Sequence, residues 1–270
     1  MNLAILGSTG FVGTVLIQKA LTQGHQIKTL ARSPEKLGSL KNRVEVVQGD
    51  MFDPVALASL VSGVDAVISA AGPRSARREG KFDAEQYAGY VKLLVDAMKN
   101  AKVDRLITII GVVAKVPGQR LGFKQSLVRF LLGNIVMPDV IKSGDIQLKT
   151  IAESGLNWTV LRPPLMTTGK ATGNVAASEK DLPHLSKIDV EDITDFILSL
   201  LITHEWDRKA PIVSSQNRVG GRVHSPAWIG MCAGSASRCN GTPCHQPCPS
   251  DGLGNQHPRT RNPALREKWK

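Results

Sequence analysis

Short apolar runs alternate with stretches of helical period along the first 216 residues of the chain. The first run, Leu3-Ala4-Ile5-Leu6, ends at Gly7, and apolar positions then recur at Val12, Val15, Leu16, Ala20 and Leu21, one face of a helix. Residues 26–31, 44–47, 65–70, 105–110 and 158–162 repeat the apolar run, and 211–214 reads as a short last strand that completes the domain. Between them, 54–61, 84–100, about 140–153 and a segment running on from 189 to 201 carry the helical pattern. Within 84–100, Tyr87, Val91, Leu94, Val95 and Met98 share one side. Ser154-Gly155 stops one helix, and Asp189 is placed to cap the start of another. Strands apolar on both faces, alternating with helices, predict a parallel sheet covered on both sides. That is an α/β, Rossmann-type doubly wound fold in a single domain. The basic, apolar stretch 123–132, inside 112–137, reads either as an amphipathic helix or as a lid over the site.

Beyond Gln216 the pattern stops. Residues 217–270 are rich in Gly, Pro, Ser, Arg and Cys without a helical or strand period, which predicts a disordered tail, of the kind a segment never selected to fold would form. Cys232, Cys239, Cys244 and Cys248 all lie there, but their spacing lacks the paired C-x2-C of a zinc module, and no metal is expected. The tail also accounts for much of the charge. Of the formal +11, eight basic against two acidic residues give +6 after Gln216, while residues 1–216 hold 26 basic against 21 acidic, or +5. So modest and scattered a surplus gives no nucleic-acid footprint. No apolar run approaches the roughly 20 residues of a membrane span. Glycines and Ser8-Thr9 interrupt any signal sequence, and the body carries no cysteine, so a cytoplasmic protein is expected.

The candidate chemistry sits where strands end, because ligands of a doubly wound sheet bind at the carboxyl ends of its strands. Strand, turn and helix follow without a spacer through Gly7-Ser8-Thr9-Gly10-Phe11-Val12-Gly13. Gly7 permits the tight turn, Gly10 leaves room for a phosphate, and Gly13 lets helix and strand pack closely. The helix N-terminus offers N–H groups and partial positive charge to a pyrophosphate. The spacing is G-x-x-G-x-x-G rather than G-x-G-x-x-G, and the competing reading is a turn with no ligand. After the second strand an acidic residue would select NAD; the chain has Arg32, with Lys36 close behind, which suits the 2′-phosphate of NADP. Asp50 can accept from an adenine amino group, with Met51 beside it. Ala70, Ala71 and Gly72 let the cofactor pass close to the fourth strand, and Pro163 follows the sixth.

Residues 7–13, Ala31-Arg32, Gly49-Asp50, Ser69-Ala70-Ala71-Gly72 and the segment from Glu153-Ser154-Gly155-Leu156 to Leu161-Arg162-Pro163-Pro164 resemble the atypical short-chain dehydrogenases/reductases with NAD(P)H-binding domains. Within that group the chain is most similar to NmrA-like proteins and to biliverdin-IXβ/flavin reductases. Typical members use a tyrosine acidified by a lysine four residues on. Here the two tyrosines, Tyr87 and Tyr90, are followed at that distance by Val91 and Leu94, so core packing or a surface position is expected of both. The helix that would carry the pair reads Val140-Ile141-Lys142-Ser143-Gly144-Asp145-Ile146, and Ile110-Gly111 stands where a serine is expected. Acid-assisted alcohol or ketone chemistry and nucleotide-sugar epimerisation are therefore disfavoured. The resemblance implies NADPH-dependent hydride transfer to a flavin- or quinone-like acceptor, with solvent supplying the proton. The alternative is a non-catalytic dinucleotide sensor that reports redox state to a partner. Lys142, Asp145 and Lys149 are either substrate-facing or solvated, and a monomer is expected.

Overall fold

The computed structural model of the chain describes residues 1–72, 83–118, 130, 138–169, 171–179 and 187–216. The stretch 123–132, Phe130 apart, and the tail 217–270 with its cysteines lie outside the described residues.

Six strands form one parallel sheet: β1 (Asn2–Leu6), β2 (Gln26–Ala31), β3 (Glu45–Gln48), β4 (Ala66–Ser69), β5 (Arg105–Ile109) and β6 (Asn157–Leu161). Their spatial order is β3-β2-β1-β4-β5-β6, so the order reverses at β1, which pairs with β2 on one side and β4 on the other. Residues just beyond β1 thus stand at the switch point where such sheets open a crevice. The helices are α1 (Phe11–Thr22), α2 (Pro54–Val61), α3 (Ala84–Asn100), α4 (Pro138–Ala152) and α5 (Val190–Ser199).

β1 shows why both faces are covered. Leu3 and Ile5 pack with Leu16 and Ile17 of α1 and with Ile193 and Ile197 of α5. Ala4 and Leu6 turn the other way, onto Leu57 and Leu60 of α2, Leu94 of α3 and Leu148 of α4. None of the four is more than 1% exposed. Each fully buried leucine or isoleucine contributes about 1.5–3 kcal/mol, so the central strand holds the two layers together. Polar caps fix where α2, α3 and α5 begin. The carboxylate of Asp53 accepts from the Val55 N–H, that of Asp83 from Glu85 and Gln86, and that of Asp189 from Glu191, the last as expected. Gly155, at φ +78°, follows the end of α4.

The last strand expected at 211–214 is present as β10 (Ile212–Ser215), outside the six-stranded sheet. It pairs antiparallel with β8 (Val175–Ser178), and single bridges from Ile212 to Arg162 and from Lys209 to Thr159 tie this region to β6. A second small pair joins β7 (Leu165–Thr167) to β9 (Lys187–Asp189) in parallel. β7, β8 and β9 escape the sequence pattern because strands of only three or four residues are too short to carry an apolar run or an alternation. The 3₁₀ segment Pro34–Arg43, kinked at Gly38, is equally unsignalled.

Candidate functional site

The loop after β1 is shaped by glycine at two points where nothing else fits. Gly7 has φ +81°, and a Cβ there would stand 2.6 Å from the Ala70 carbonyl carbon and oxygen. A Cβ on Gly13 would stand 2.2 Å from the Gly7 oxygen, so the first turn of α1 rests directly on the loop. The Gly10 N–H donates to the Gly7 carbonyl at 2.9 Å, and the Thr14 hydroxyl donates to the Gly10 carbonyl at 2.9 Å, closing the turn. Helix α1 begins at N-cap Gly10 with no capping side chain and no acidic residue in its first turn, an electrostatic setting that suits an anion.

The seven loop residues divide by direction. Thr9 is exposed, and Gly10 and Phe11 are half-buried. Ser8 and Val12 are buried, with the Ser8 hydroxyl 3.5 Å from the Leu30 carbonyl, so only their backbone can meet a ligand.

At the end of β2, Arg32, Ser33 and Lys36 join Thr9 around a cleft of about 320 Å³. Ser33 was not among the residues singled out from sequence. The Arg32 Nε lies 3.8 Å from Asp50 Oδ2, and Asp50 Oδ1 accepts the Phe52 N–H at 3.0 Å. Met51 turns partly inward against the core. Beyond β4, Ala70 donates its N–H to Leu6, Ala71 packs on the core, and Gly72 is exposed with open space at its Cβ position.

Beyond β5 and β6 the chain is clamped. The Ile110 N–H donates to Leu161, the Val112 N–H to the carbonyl of buried Pro163 at 3.3 Å, and the Lys115 N–H to Asp145 Oδ1 at 2.8 Å. Arg162 is 2% exposed; its Nε donates to the Ala210 carbonyl at 2.7 Å and its Nη1 to the Ala114 carbonyl at 3.2 Å. Burial pulls the Arg162 guanidinium below its usual pKa, and the charge of Glu179 opposes that fall. A Cβ on Gly144 of α4 would stand 3.1 Å from Ala114 Cβ, so helix and loop touch closely there. Asp145 thus holds the loop backbone, while exposed Lys142 pairs with Glu85 at 2.9 Å and Lys149 is also exposed.

Both tyrosines belong to the core. Tyr87 and Tyr90 are 4% and 1% exposed and meet edge to face, 5.5 Å between centroids. Burial raises both phenols; the Ser69 contact offsets part of the rise at Tyr90. The Tyr90 hydroxyl lies 3.3 Å from Ser69 Oγ and 3.5 Å from Gln147 Oε1, and Gln147 Nε2 donates to Ser143 Oγ at 2.9 Å. Sequence reasoning missed this buried polar chain. Its signal was Ser143 and Gln147, four apart on the inward face of a helix. Among the described residues, no three metal-ligating side chains converge and no helix is long and apolar enough to cross a membrane.

The sheet order and the glycine turn at its switch point are those of a Rossmann-type dinucleotide-binding fold. The chain belongs to the NAD(P)H-binding family, whose pattern it matches over residues 7–204. Photosystem II assembly factor Ycf39 of Cyanophora paradoxa is 24% identical over 231 residues, covering 80% of this chain and 64% of the factor's own length. The chain thus spans less than two thirds of that relative. Among solved structures, the anaerobillin reductase ChuY of Escherichia coli O157:H7 superposes with a TM-score of 0.64 at 16% identity, over 80% of this chain and 97% of that one. A short-chain dehydrogenase/reductase of Veillonella parvula in complex with NADP gives 0.63 at 18% identity, over 79% and 94%. At these identities the superpositions establish the fold.

Proposed function

We propose that the chain is an NADPH-dependent oxidoreductase that passes hydride to a planar, electron-poor acceptor of flavin or quinone type, without a protein acid. The observation that carries the reading is the cleft where Thr9 of the glycine loop meets Arg32, Ser33 and Lys36. Cations and hydroxyls at the end of β2 suit a 2′-phosphate, where an acidic residue would suit the bare ribose of NAD. The fold of ChuY, a reductase, and that of a Veillonella protein holding NADP are consistent with it.

In this reading the loop backbone at 7–13 and the start of α1 hold the pyrophosphate, Ala70, Ala71 and Gly72 give it a lane, and Asp50 borders the adenosine end. A bound nicotinamide supplies hydride. The chain's residues contribute alignment, with the loop 110–115 fixed by Arg162, Asp145 and Gly144. Both phenols lie in the core, so water provides the proton. Leu165 and Met166 of β7, 54% and 38% exposed, offer apolar surface beyond β6 for a flat acceptor. Charged outer faces on α3 and α4, including the Lys92–Asp96 and Glu85–Lys142 pairs, favour a monomer, and the reading places it in the cytoplasm.

The test is a titration with NADPH and with NADH followed by nicotinamide fluorescence, with FMN or a quinone added afterwards. Tighter NADPH binding, weakened about tenfold in Arg32→Ala by loss of one charge-assisted contact, and oxidation on adding acceptor would support the reductase. Relatedness to an assembly factor favours one second reading, a dinucleotide sensor. Binding without turnover across the acceptor panel would select it.

A further inference from the structure

Resting on that cofactor reading, we propose that Asp50 is a specificity-determining residue that competes with the dinucleotide 2′-phosphate for Arg32 and so moderates the preference for NADPH. The two carboxylate oxygens of Asp50 have separate tasks. Oδ1 is engaged by the Phe52 N–H at 3.0 Å, which fixes the carboxylate within its own turn. The turn is itself held in place: the Gly49 N–H donates to the Ala31 carbonyl at 3.3 Å, and Gly49 lies so close to α2 that a Cβ there would stand 2.6 Å from Ala56 Cβ. Oδ2 then faces the Arg32 Nε at 3.8 Å.

That distance is too long for a hydrogen bond and short enough for an ion pair. The guanidinium is therefore attracted towards Asp50 without being locked, and its side chain stays 61% exposed at the cleft it shares with Ser33 and Lys36. A 2′-phosphate arriving there gains Arg32 but meets the negative charge of Asp50 behind it. NADH carries no such phosphate and meets neither effect. A carboxylate kept only for the adenine amino group would influence both nucleotides alike, which separates the two roles.

The experiment compares Kd for NADPH and NADH in wild type, Asp50→Asn, Arg32→Ala and the double variant, at low and high salt. Asparagine keeps an oxygen for the Phe52 N–H while removing the charge. The expected result is an NADH-to-NADPH Kd ratio about threefold higher in Asp50→Asn, the size of effect an exposed ion pair carries. The gain should shrink in high salt and fall well below threefold in the Arg32→Ala background, where only the direct repulsion between Asp50 and the phosphate is left. Equal changes for both nucleotides, an unchanged ratio, or a gain of the same size without Arg32 would overturn the inference while leaving the cofactor reading intact. Wild-type protein that bound neither nucleotide would overturn both.

Discussion

Gly13→Ala inserts one methyl group where α1 meets the loop after β1, and the structure sets the size of the disturbance. The new Cβ would lie 2.2 Å from the Gly7 oxygen, 2.7 Å from the Gly7 carbonyl carbon and 2.9 Å from Ser8 Cα. All three are backbone atoms, so no side chain can swing aside. Ordinary contact begins near 3.4 Å, and the start of α1 must therefore retreat by about 1 Å. Overpacking of this kind costs about 1–3 kcal/mol. For a folded body of this size that lowers Tm by about 2–12 °C. Because the retreat moves the helix N-terminus away from the turn, nucleotide affinity should fall with stability. Thermal unfolding followed by circular dichroism and the NADPH titration read the two effects on one preparation. A Tm within 1 °C of wild type together with unchanged NADPH affinity would refute the argument that Gly13 is fixed by backbone approach.

Gly89→Ala is the counterpart: Gly89 lies in α3 with no described atom beyond its chain neighbours and its own helix backbone within 4 Å of its Cβ position, so alanine should raise stability by about 0.5–1 kcal/mol through helix propensity, read as a higher urea midpoint. Tyr90→Phe leaves Ser69 Oγ and Gln147 Oε1 short of a buried partner and should cost about 1–3 kcal/mol in the same assay, whereas a change below 0.3 kcal/mol would mean the chain of hydroxyls and amide contributes nothing. Asp192 supplies a pH dependence. Burial opposes its charge, but hydrogen bonds from Ser215, Thr172 and Gly173 outweigh that and hold its carboxyl below the ordinary 3.8. The stability it contributes is complete above about pH 3.8 and is lost as pH falls through the lower folded value. Asp192→Asn should lower stability at pH 7 and flatten the loss below pH 4, and urea midpoints across pH would show an unchanged acid slope if the reasoning is wrong.

The parts of the fold that could be read from sequence are those where burial on two faces forces a pattern. β1, β4 and β5 are nearly continuous apolar runs because helices cover both sides of the sheet. The turn at Gly7, Gly10 and Gly13 was legible because close backbone approach admits only glycine at two of those positions. β7, β8 and β9 were not, and the antiparallel pairing of β10, itself expected at 211–214, was not either, since such short strands are stabilised by partners distant in sequence rather than by local pattern. At the site, Arg32 could be named from its place after a strand, but its distance to Asp50 depends on how β3 is followed by a turn seated on α2. The role of Asp145 was equally hidden: a charged helix residue reads as solvated until the loop that it caps is placed beside it.

The first turns of α4 explain why a tyrosine and lysine would be hard to reinstate. Gly144 lies within contact of Ala114, Asp145 accepts the Lys115 N–H, and Ser143 and Gln147 face inward towards Tyr90. Each position that looks towards the loop after β5 or into the core is engaged in packing or in hydrogen bonding. A large side chain at Gly144 would push on Ala114, whose carbonyl is held from the other side by Arg162, so loop, helix and β6 would have to move together. On the proposed reading this rigidity is the chain's contribution to chemistry, because hydride transfer depends steeply on the alignment of donor and acceptor rings. An acceptor that requires no protein acid is the kind such a clamped, phenol-free loop can serve.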